Sequence, residues 1–153
     1  LAQGTTMICL ENMAGHGSSV GHTFDQLAFI RNNVTPKNLI GFCFDTCHAF
    51  AAGYDLRTQE TYHAVWQQFD AIIGLEHLKV LHMNDSKKDL KCHVDRHENI
   101  GEGKLGLEAF RLLMNDERLI DVAKILEIPD DTLEGYARNL EILRGLVKGG
   151  LVK

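Results

Sequence analysis

Acidic and histidine side chains follow short apolar segments near the middle of the chain. Asp45 and His48 stand three residues apart after the apolar segment 40–44, and Asp95 and His97 form a second pair further along. Carboxylate oxygens and imidazole nitrogens suit zinc, and also manganese where carboxylates dominate. The two pairs therefore predict a metal site.

Three more polar residues close apolar segments in the same way. They are Glu11, His82 and Glu127. Together with the two pairs they make more ligands than a single ion can use, so the sequence predicts a cluster of ions. The candidate metal ligands are Glu11, Asp45, His48, His82, Asp95, His97 and Glu127.

The spacing of the segment-ending residues indicates the scaffold. Glu11 and Asp45 are 34 residues apart, Asp45 and His82 are 37 apart, and His82 and Glu127 are 45 apart, with helix-like sequence in each interval. Intervals of this length are typical of repeated β-strand/α-helix units. In a parallel (β/α)8 barrel of the TIM type, catalytic groups lie at the carboxyl ends of several strands, so the four side chains are expected to converge.

The predicted strands are apolar at nearly every position. The period of two places one set of residues on the same side as the ligands, namely Met7, Cys9, Gly41, Cys43, Leu78, Val80, Ala123 and Ile125. The residues between them are also apolar, namely Ile8, Leu10, Phe42, Phe44, Leu81 and Leu126. We therefore expect both faces to be buried, as in a parallel sheet.

Four segments between the strands carry helical patterns. The clearest has apolar residues at the 3.6-residue period, and another begins with the capping-box pattern Thr23 to Gln26. The last places Leu133, Tyr136, Leu140, Leu143 and Val147 on one side. The predicted helices are 23–33, 58–76, 106–115 and 132–148.

Chain length limits how much of a barrel is present. A complete barrel needs about 250 residues, whereas this chain has 153 and four convincing strands. We interpret residues 1–153 as one domain, the carboxyl-terminal half of a TIM-type barrel that supplies about the last four β/α units. Its two sheet edges would need cover from the missing amino-terminal half or from a second copy.

Composition narrows the class of protein. There is no stretch of roughly 20 apolar residues and no signal-peptide pattern, so we expect no membrane partner and an intracellular location: cytoplasmic in a bacterium, nuclear or mitochondrial in a eukaryote.

The four cysteines lack a C-x-x-C spacing, which favours reduced structural thiols over disulfides or zinc thiolates.

The net charge of −5 would ordinarily argue against a nucleic-acid partner. Four of the negative charges belong to candidate ligands, however. Two bound divalent ions would bring the total to about −1 and allow a positive field at the barrel mouth.

Four segments resemble, in order and spacing, the motifs of the endonuclease IV family of apurinic/apyrimidinic endonucleases. They are 10–15 (LENMAG), 44–55 (FDTCHAFAAGYD), 82–87 (HMNDSK) and 95–103 (DRHENIGEG). The resemblance covers nearly the whole chain. It implies a three-zinc cluster in a (β/α)8 barrel that cuts duplex DNA on the 5′ side of a site that has lost its base.

The resemblance also implies roles for the ligands. Glu11 would bridge two zinc ions, and Asp45, His82 and Glu127 would complete the shell of one of them. The third ion would be held by His48, Asp95 and His97. The remaining zinc position needs two histidines from the first half of the barrel, so two complete sites are expected here and up to three in the full barrel. Glu11 and Glu127 are the predicted catalytic carboxylates, Glu127 assisting deprotonation of the attacking water.

Four residues are predicted to contact DNA. His16 stands where the family usually has glutamine, and Arg96 lies between two ligands; a plain loop residue and a partner of an internal carboxylate are the respective alternatives. Gly101 and Gly103 would let the backbone approach a ligand. The family's Glu-Thr-Pro sequence is Glu127-Ile128-Pro129 here, which keeps the ligand but loses a hydroxyl.

Three functional interpretations follow. The first is a zinc-dependent DNA-repair endonuclease acting at abasic sites, with the isolated half impaired or inactive. The second is a sugar isomerase or epimerase of the xylose-isomerase type, whose Glu, Asp, His, Glu set the strand-end residues would satisfy; His48, Asp95 and His97 have no role in such a site. The third is a metal-binding fragment without catalytic power.

Individual histidines and Asp45 also have simpler interpretations. Asp45 alone could be an ordinary strand-end cap, and His82 alone could be a buried core histidine. His63 and His77 are expected to face solvent. His93, two residues before Asp95, could compete as a ligand.

Overall fold

A parallel sheet organises the computed structural model, which describes residues 6–149. Its strands are β1 (Ile8–Glu11), β2 (Ile40–Asp45), β3 (Leu78–His82) and β6 (Ala123–Ile125), hydrogen-bonded in the order β1-β2-β3-β6. All three pairings are parallel. Since consecutive parallel strands bring their carboxyl ends to one edge, the predicted ligands share that edge.

Helices join and follow the strands. They are α1 (Phe24–Asn32), α2 (Thr46–Ala52), α3 (Gln59–Ile72), α4 (Gly106–Met114) and α5 (Leu133–Gly145). A small antiparallel pair, β4 (Asp85–Ser86) with β5 (His97–Glu98), lies between β3 and α4. None of the helices in residues 6–149 has the length and apolar character needed to cross a membrane.

The core lies between the sheet and the helices, and aromatic rings dominate it. The Phe44 ring on β2 contacts the Trp66 ring on α3, with centroids 4.8 Å apart, and Phe24 meets Phe69 edge to face at 5.2 Å. Each of these aromatic side chains is buried. Helix α3 presents this face because its apolar residues recur every three or four positions after the Thr58 capping box.

The prediction that both faces of every strand are buried is wrong at the sheet edges. Ile8 on β1 is 60% exposed, and Ile125 on β6 is 47% exposed. Ala123 and Met7 are exposed as well. β1 and β6 are the outer strands of this sheet, and the described residues provide no layer over these positions. Burial is most complete on the inner strand β2, where every residue after Ile40 is buried and Phe42 and Phe44 face the helices.

Two details of the predicted helices also need correction. The Thr23 side chain caps α1 by accepting from Gln26 N, but the Gln26 side chain accepts from Gly21 N and His22 N instead of completing the box. In α5, Leu133 is 86% exposed although the pattern placed it on the apolar side. Leu133 is the first residue of the helix, so it lies beyond the surface that the helix buries.

The aromatic core generates a stability prediction. Phe44→Ala should lower the free energy of unfolding by about 3–5 kcal/mol, because a buried ring is replaced by a cavity. Phe29→Ala, on the exposed face of α1, is the matched control and should change it by less than about 0.5 kcal/mol. Urea denaturation measures both variants. Equal midpoints for the two would contradict this account of the core.

Candidate metal centre

The junction between β2 and α2 forms the middle of the site. Asp45 is the last residue of β2 and the N-cap of α2, and its Oδ1 accepts a hydrogen bond of 2.8 Å from His48 N. The helix begins without a connecting loop and ends at Gly53, which has a left-handed backbone (φ 111°). The His48 side chain is thereby held one turn beyond the strand end.

The four strand-end residues come together as predicted from their spacing. Ligand atoms of Glu11, Asp45, His82 and Glu127 all lie within 4.8 Å of one another. His82 is at the centre: its Nδ1 lies 3.1 Å from Glu11 Oε1, 2.9 Å from Glu127 Oε2 and 3.8 Å from Asp45 Oδ2. Three carboxylates around one imidazole can hold a divalent cation.

A second group lies beside the first. His48 Nε2 is 3.2 Å from Asp95 Oδ2, and His97 Nε2 is 3.3 Å from Asp95 Oδ1. Asp45 belongs to both groups, because its Oδ2 also lies 3.7 Å from His97 Nε2. All seven predicted ligands therefore lie in one continuous cluster centred on a buried carboxylate.

The ring nitrogens of two histidines indicate how a cation would fit. His48 Nδ1 lies 3.0 Å from the Asn12 carbonyl and His97 Nδ1 lies 2.7 Å from the Glu127 carbonyl, so both Nδ1 atoms donate. In the neutral form of the ring, which is the form that binds a metal ion, each Nε2 would then carry a lone pair. Both Nε2 atoms are buried and make no hydrogen bond to any described residue. Orphaned acceptors next to a carboxylate are what a metal ion satisfies.

The electrostatics of the cluster also favour a cation. Burial would raise the pKa of Glu11, but its hydrogen bonds to His48 and His82 prevail and lower the pKa to about 2. Burial would lower the pKa of His48, but Glu11, Asp45 and Asp95 raise it to about 9. The carboxylates thus attract positive charge to this position, and a bound metal ion would supply it.

Two buried asparagines, which the sequence analysis missed, hold the strand ends in place. Asn12 forms a reciprocal pair with the Asp45 backbone: its Nδ2 donates to Asp45 O at 3.0 Å and its Oδ1 accepts from Asp45 N at 2.7 Å. Asn84 Nδ2 donates to Asp45 Oδ2 at 2.6 Å, and Asn84 Oδ1 accepts from Glu127 N at 2.8 Å. The sequence did offer a signal for both residues: Asn12 directly follows the ligand Glu11, and Asn84 comes two residues after the ligand His82.

A further missed residue, Asp85, orders the loop that follows β5. Its buried carboxylate accepts hydrogen bonds from four backbone N–H groups of that loop: Gly101, Gly103, Leu105 and Gly106. A Cβ atom at Gly103 would clash with this carboxylate. At Gly101 the backbone is left-handed (φ 83°) and a Cβ would clash with Leu107. Packing thus explains both predicted loop glycines, and their DNA contact stays a prediction.

The other predicted residues lie outside the cluster. His16 is exposed, and exposed Arg96 donates from Nη1 to the Asp95 carbonyl at 2.8 Å, with no internal carboxylate of residues 6–149 as partner. His93 approaches the Ala14 carbonyl at 3.2 Å and joins no ligand group among the described residues. His63 is exposed as expected, whereas His77 is half-buried beside Arg31.

Strands followed by helices, with acidic and histidine side chains gathered at the carboxyl ends, define a β/α-barrel protein with a candidate metal centre. The sequence profile described as "Xylose isomerase-like TIM barrel" matches residues 2–146. The chain belongs to this family, and its four parallel strands are part of a TIM-type barrel.

Within that family the chain is similar to endonuclease IV. It is 53% identical over 145 residues to a probable endonuclease 4 of Geobacter sulfurreducens, covering 94% of this chain and 49% of the relative. It is 51% identical over 124 residues to an apurinic-apyrimidinic endonuclease of Caenorhabditis elegans, covering 81% and 31%.

A solved structure agrees with these relatives. The crystal structure of endonuclease IV from Thermus thermophilus superposes with a TM-score of 0.80 at 38% identity, covering 92% of this chain and 49% of that one. The chain spans about half the length of the bacterial relatives that it matches.

The asparagine contacts generate a prediction about metal affinity. Asn84→Ala removes the amide that orients Asp45 and anchors the Glu127 backbone, so zinc affinity should fall about 10–100-fold, as is typical for groups that orient metal ligands. Competition with a chromophoric chelator measures the affinity. Asn38→Ala, at an exposed position, is the control and should bind as the original chain does; equal affinity of both variants would refute the role of Asn84.

Proposed function

We propose that this chain carries most of the metal centre of a zinc-dependent DNA-repair endonuclease that hydrolyses the phosphodiester on the 5′ side of abasic sites in duplex DNA. The observation that supports this most strongly is the single cluster of seven carboxylate and imidazole ligands. The names of the relatives, endonuclease 4 and apurinic-apyrimidinic endonuclease, point to the same chemistry.

The ligands divide between two ions in this proposal. Glu11, Asp45, His82 and Glu127 hold one ion, whose ligand atoms lie within 4.8 Å of one another. His48, Asp95 and His97 hold the other, through the two orphaned Nε2 atoms and the carboxylate between them. Nitrogen and oxygen donors of this kind suit zinc, and manganese is the alternative.

Phosphodiester hydrolysis needs an activated water and positive charge near the phosphate oxygens. Bound divalent ions supply Lewis acidity for the phosphoryl oxygens and the leaving oxygen, and an activated water at neutral pH. Glu11 is half-buried between His48 and His82. Its carboxylate would be shared between the ion of the strand-end group and a further zinc, whose two histidines the other half of the barrel would supply. Glu127 is the most exposed of the three carboxylates in the strand-end group, so it would be the one to accept a proton from the attacking water.

Recognition of DNA belongs to groups outside the cluster. Arg96 is exposed and lies in sequence between two ligands, so its guanidinium can pair with a backbone phosphate beside the centre. Exposed His16, in the loop after Glu11, is proposed to contact the DNA as well. An abasic nucleotide leaves the base stack at the lowest energetic cost, which favours such sites as substrates.

A sugar isomerase is the second candidate, because related barrels place a Glu, Asp, His, Glu set on successive strands. The structure brings Glu11, Asp45, His82 and Glu127 together in that way. The adjoining His48, Asp95 and His97 argue against it, because a single-metal sugar site has no use for a second ligand group. The nuclease is therefore the better supported function.

The chain by itself is proposed to be the carboxyl-terminal half of the barrel. It spans about half the length of its bacterial relatives, and its edge strands β1 and β6 have exposed apolar residues. The other four β/α units of the complete protein would cover these edges. We propose that these units also provide the remaining zinc ligands and most of the contacts with DNA.

Removal of a ligand tests the nuclease proposal. In the complete protein, Asp45→Asn and His97→Ala should each lower cleavage of an abasic-site duplex by at least about 100-fold, since even the groups that orient ligands contribute about 10–100-fold. Gel analysis of an end-labelled oligonucleotide measures cleavage. His63→Ala, on the exposed side of α3, should cleave normally; undiminished, chelator-resistant cleavage by either ligand variant would refute the proposal.

The isolated chain provides a second test. It should bind zinc but cleave the same duplex at least about 100-fold more slowly than the complete protein, because ligands and DNA contacts from the other half are lacking. Adding a separately produced amino-terminal half should restore part of the rate. Full activity of the chain alone would show that the half-barrel proposal is wrong.

A further inference from the structure

Two buried thiols lie behind the candidate metal ligands. Cys43 precedes Asp45 by two residues on β2, so both side chains point to the same side of the sheet. The strand register sets Cys43 opposite Glu11. Ligand atoms of Cys43, Glu11 and His82 lie within 4.8 Å of one another, and Cys43 is only 4% exposed.

The second ligand group has its own thiol. Cys47 lies in the first turn of α2 and is fully buried. Its Sγ is 3.6 Å from the carbonyl oxygen of Arg96, the residue between two proposed ligands. Ligand atoms of Cys47, Asp95 and His97 lie within 4.8 Å of one another. One cysteine sulfur thus lies beside each of the two proposed metal positions.

Sulfur changes which cations the centre can hold. Carboxylate and imidazole ligands suit zinc and manganese, whereas a thiolate strongly favours thiophilic ions such as Cd²⁺. A mixed set of one sulfur, one nitrogen and one carboxylate oxygen supplies three of the four ligands of a tetrahedral site. On binding, the cation forms a metal–sulfur bond and the thiol proton passes to solvent.

We propose that Cys43 and Cys47 make this centre a capture site for thiophilic divalent cations, which bind through Glu11, Cys43 and His82 and through Cys47, Asp95 and His97. The proposal rests on the cluster being a metal centre, as proposed above. It adds a second class of cation that would displace the resident zinc and block the proposed nuclease.

Cadmium titration tests the proposal on the full chain. The cadmium–thiolate charge-transfer absorbance should rise with about two equivalents of Cd²⁺, one thiolate at each position. Cys43→Ser and Cys47→Ser should each retain roughly half of this absorbance, and the double variant should lose it. Cys92→Ser is the matched control: Cys92 is a free, half-buried cysteine outside every ligand group of the described residues. It should behave as the original chain.

Cadmium NMR of the unsubstituted chain gives an answer that does not depend on the variants folding. Resonances shifted to the range of one-sulfur ligand sets support the proposal. Tight Cd²⁺ binding with shifts of purely oxygen and nitrogen ligands overturns the role of the thiols but leaves the metal centre intact. Failure to bind either Cd²⁺ or Zn²⁺ overturns both proposals.

Discussion

The structure depends on one fully buried carboxylate. Asp45 is 0% exposed, and a charge in such a position is strongly destabilising unless hydrogen bonds and opposite charge surround it. Three donors surround Asp45: Asn12 Nδ2 donates to its backbone carbonyl, His48 N donates to Oδ1 and Asn84 Nδ2 donates to Oδ2. The Asp45 carboxylate also needs positive charge nearby, which the neighbouring imidazoles and a bound cation can supply.

The same residue links the scaffold to the chemistry. Asp45 ends β2, caps α2 and contacts both ligand groups, so strand register, helix position and ligand geometry are set together. Asn84 extends this coupling to Glu127 through its backbone N–H. The loop that follows β5 is ordered separately, by backbone hydrogen bonds to Asp85. Rigid support of this kind is what a metal centre needs, because ligands must be in place before the ion arrives.

Sequence patterns predicted the convergence because parallel strands have a simple geometry. Glu11, His82 and Glu127 follow apolar strands, and such strands end at one edge whatever the details of packing. Helix α2 was missed because seven residues are too few to show a 3.6-residue period, although the Asp45 cap and Gly53 were available signals. Asn12 and Asn84 were missed because their position after a strand shows only that a polar residue is there, and not which groups its buried amide binds. Burial of the edge strands was predicted wrongly because the rule presumes a closed barrel.

The central claim is that the clustered ligands hold metal ions, and the zinc content of the purified chain tests it most directly. Elemental analysis after removal of loosely bound metal should find about two zinc ions per chain, one for each ligand group. Less than one zinc ion per chain, in protein whose circular dichroism shows an intact fold, would contradict the account.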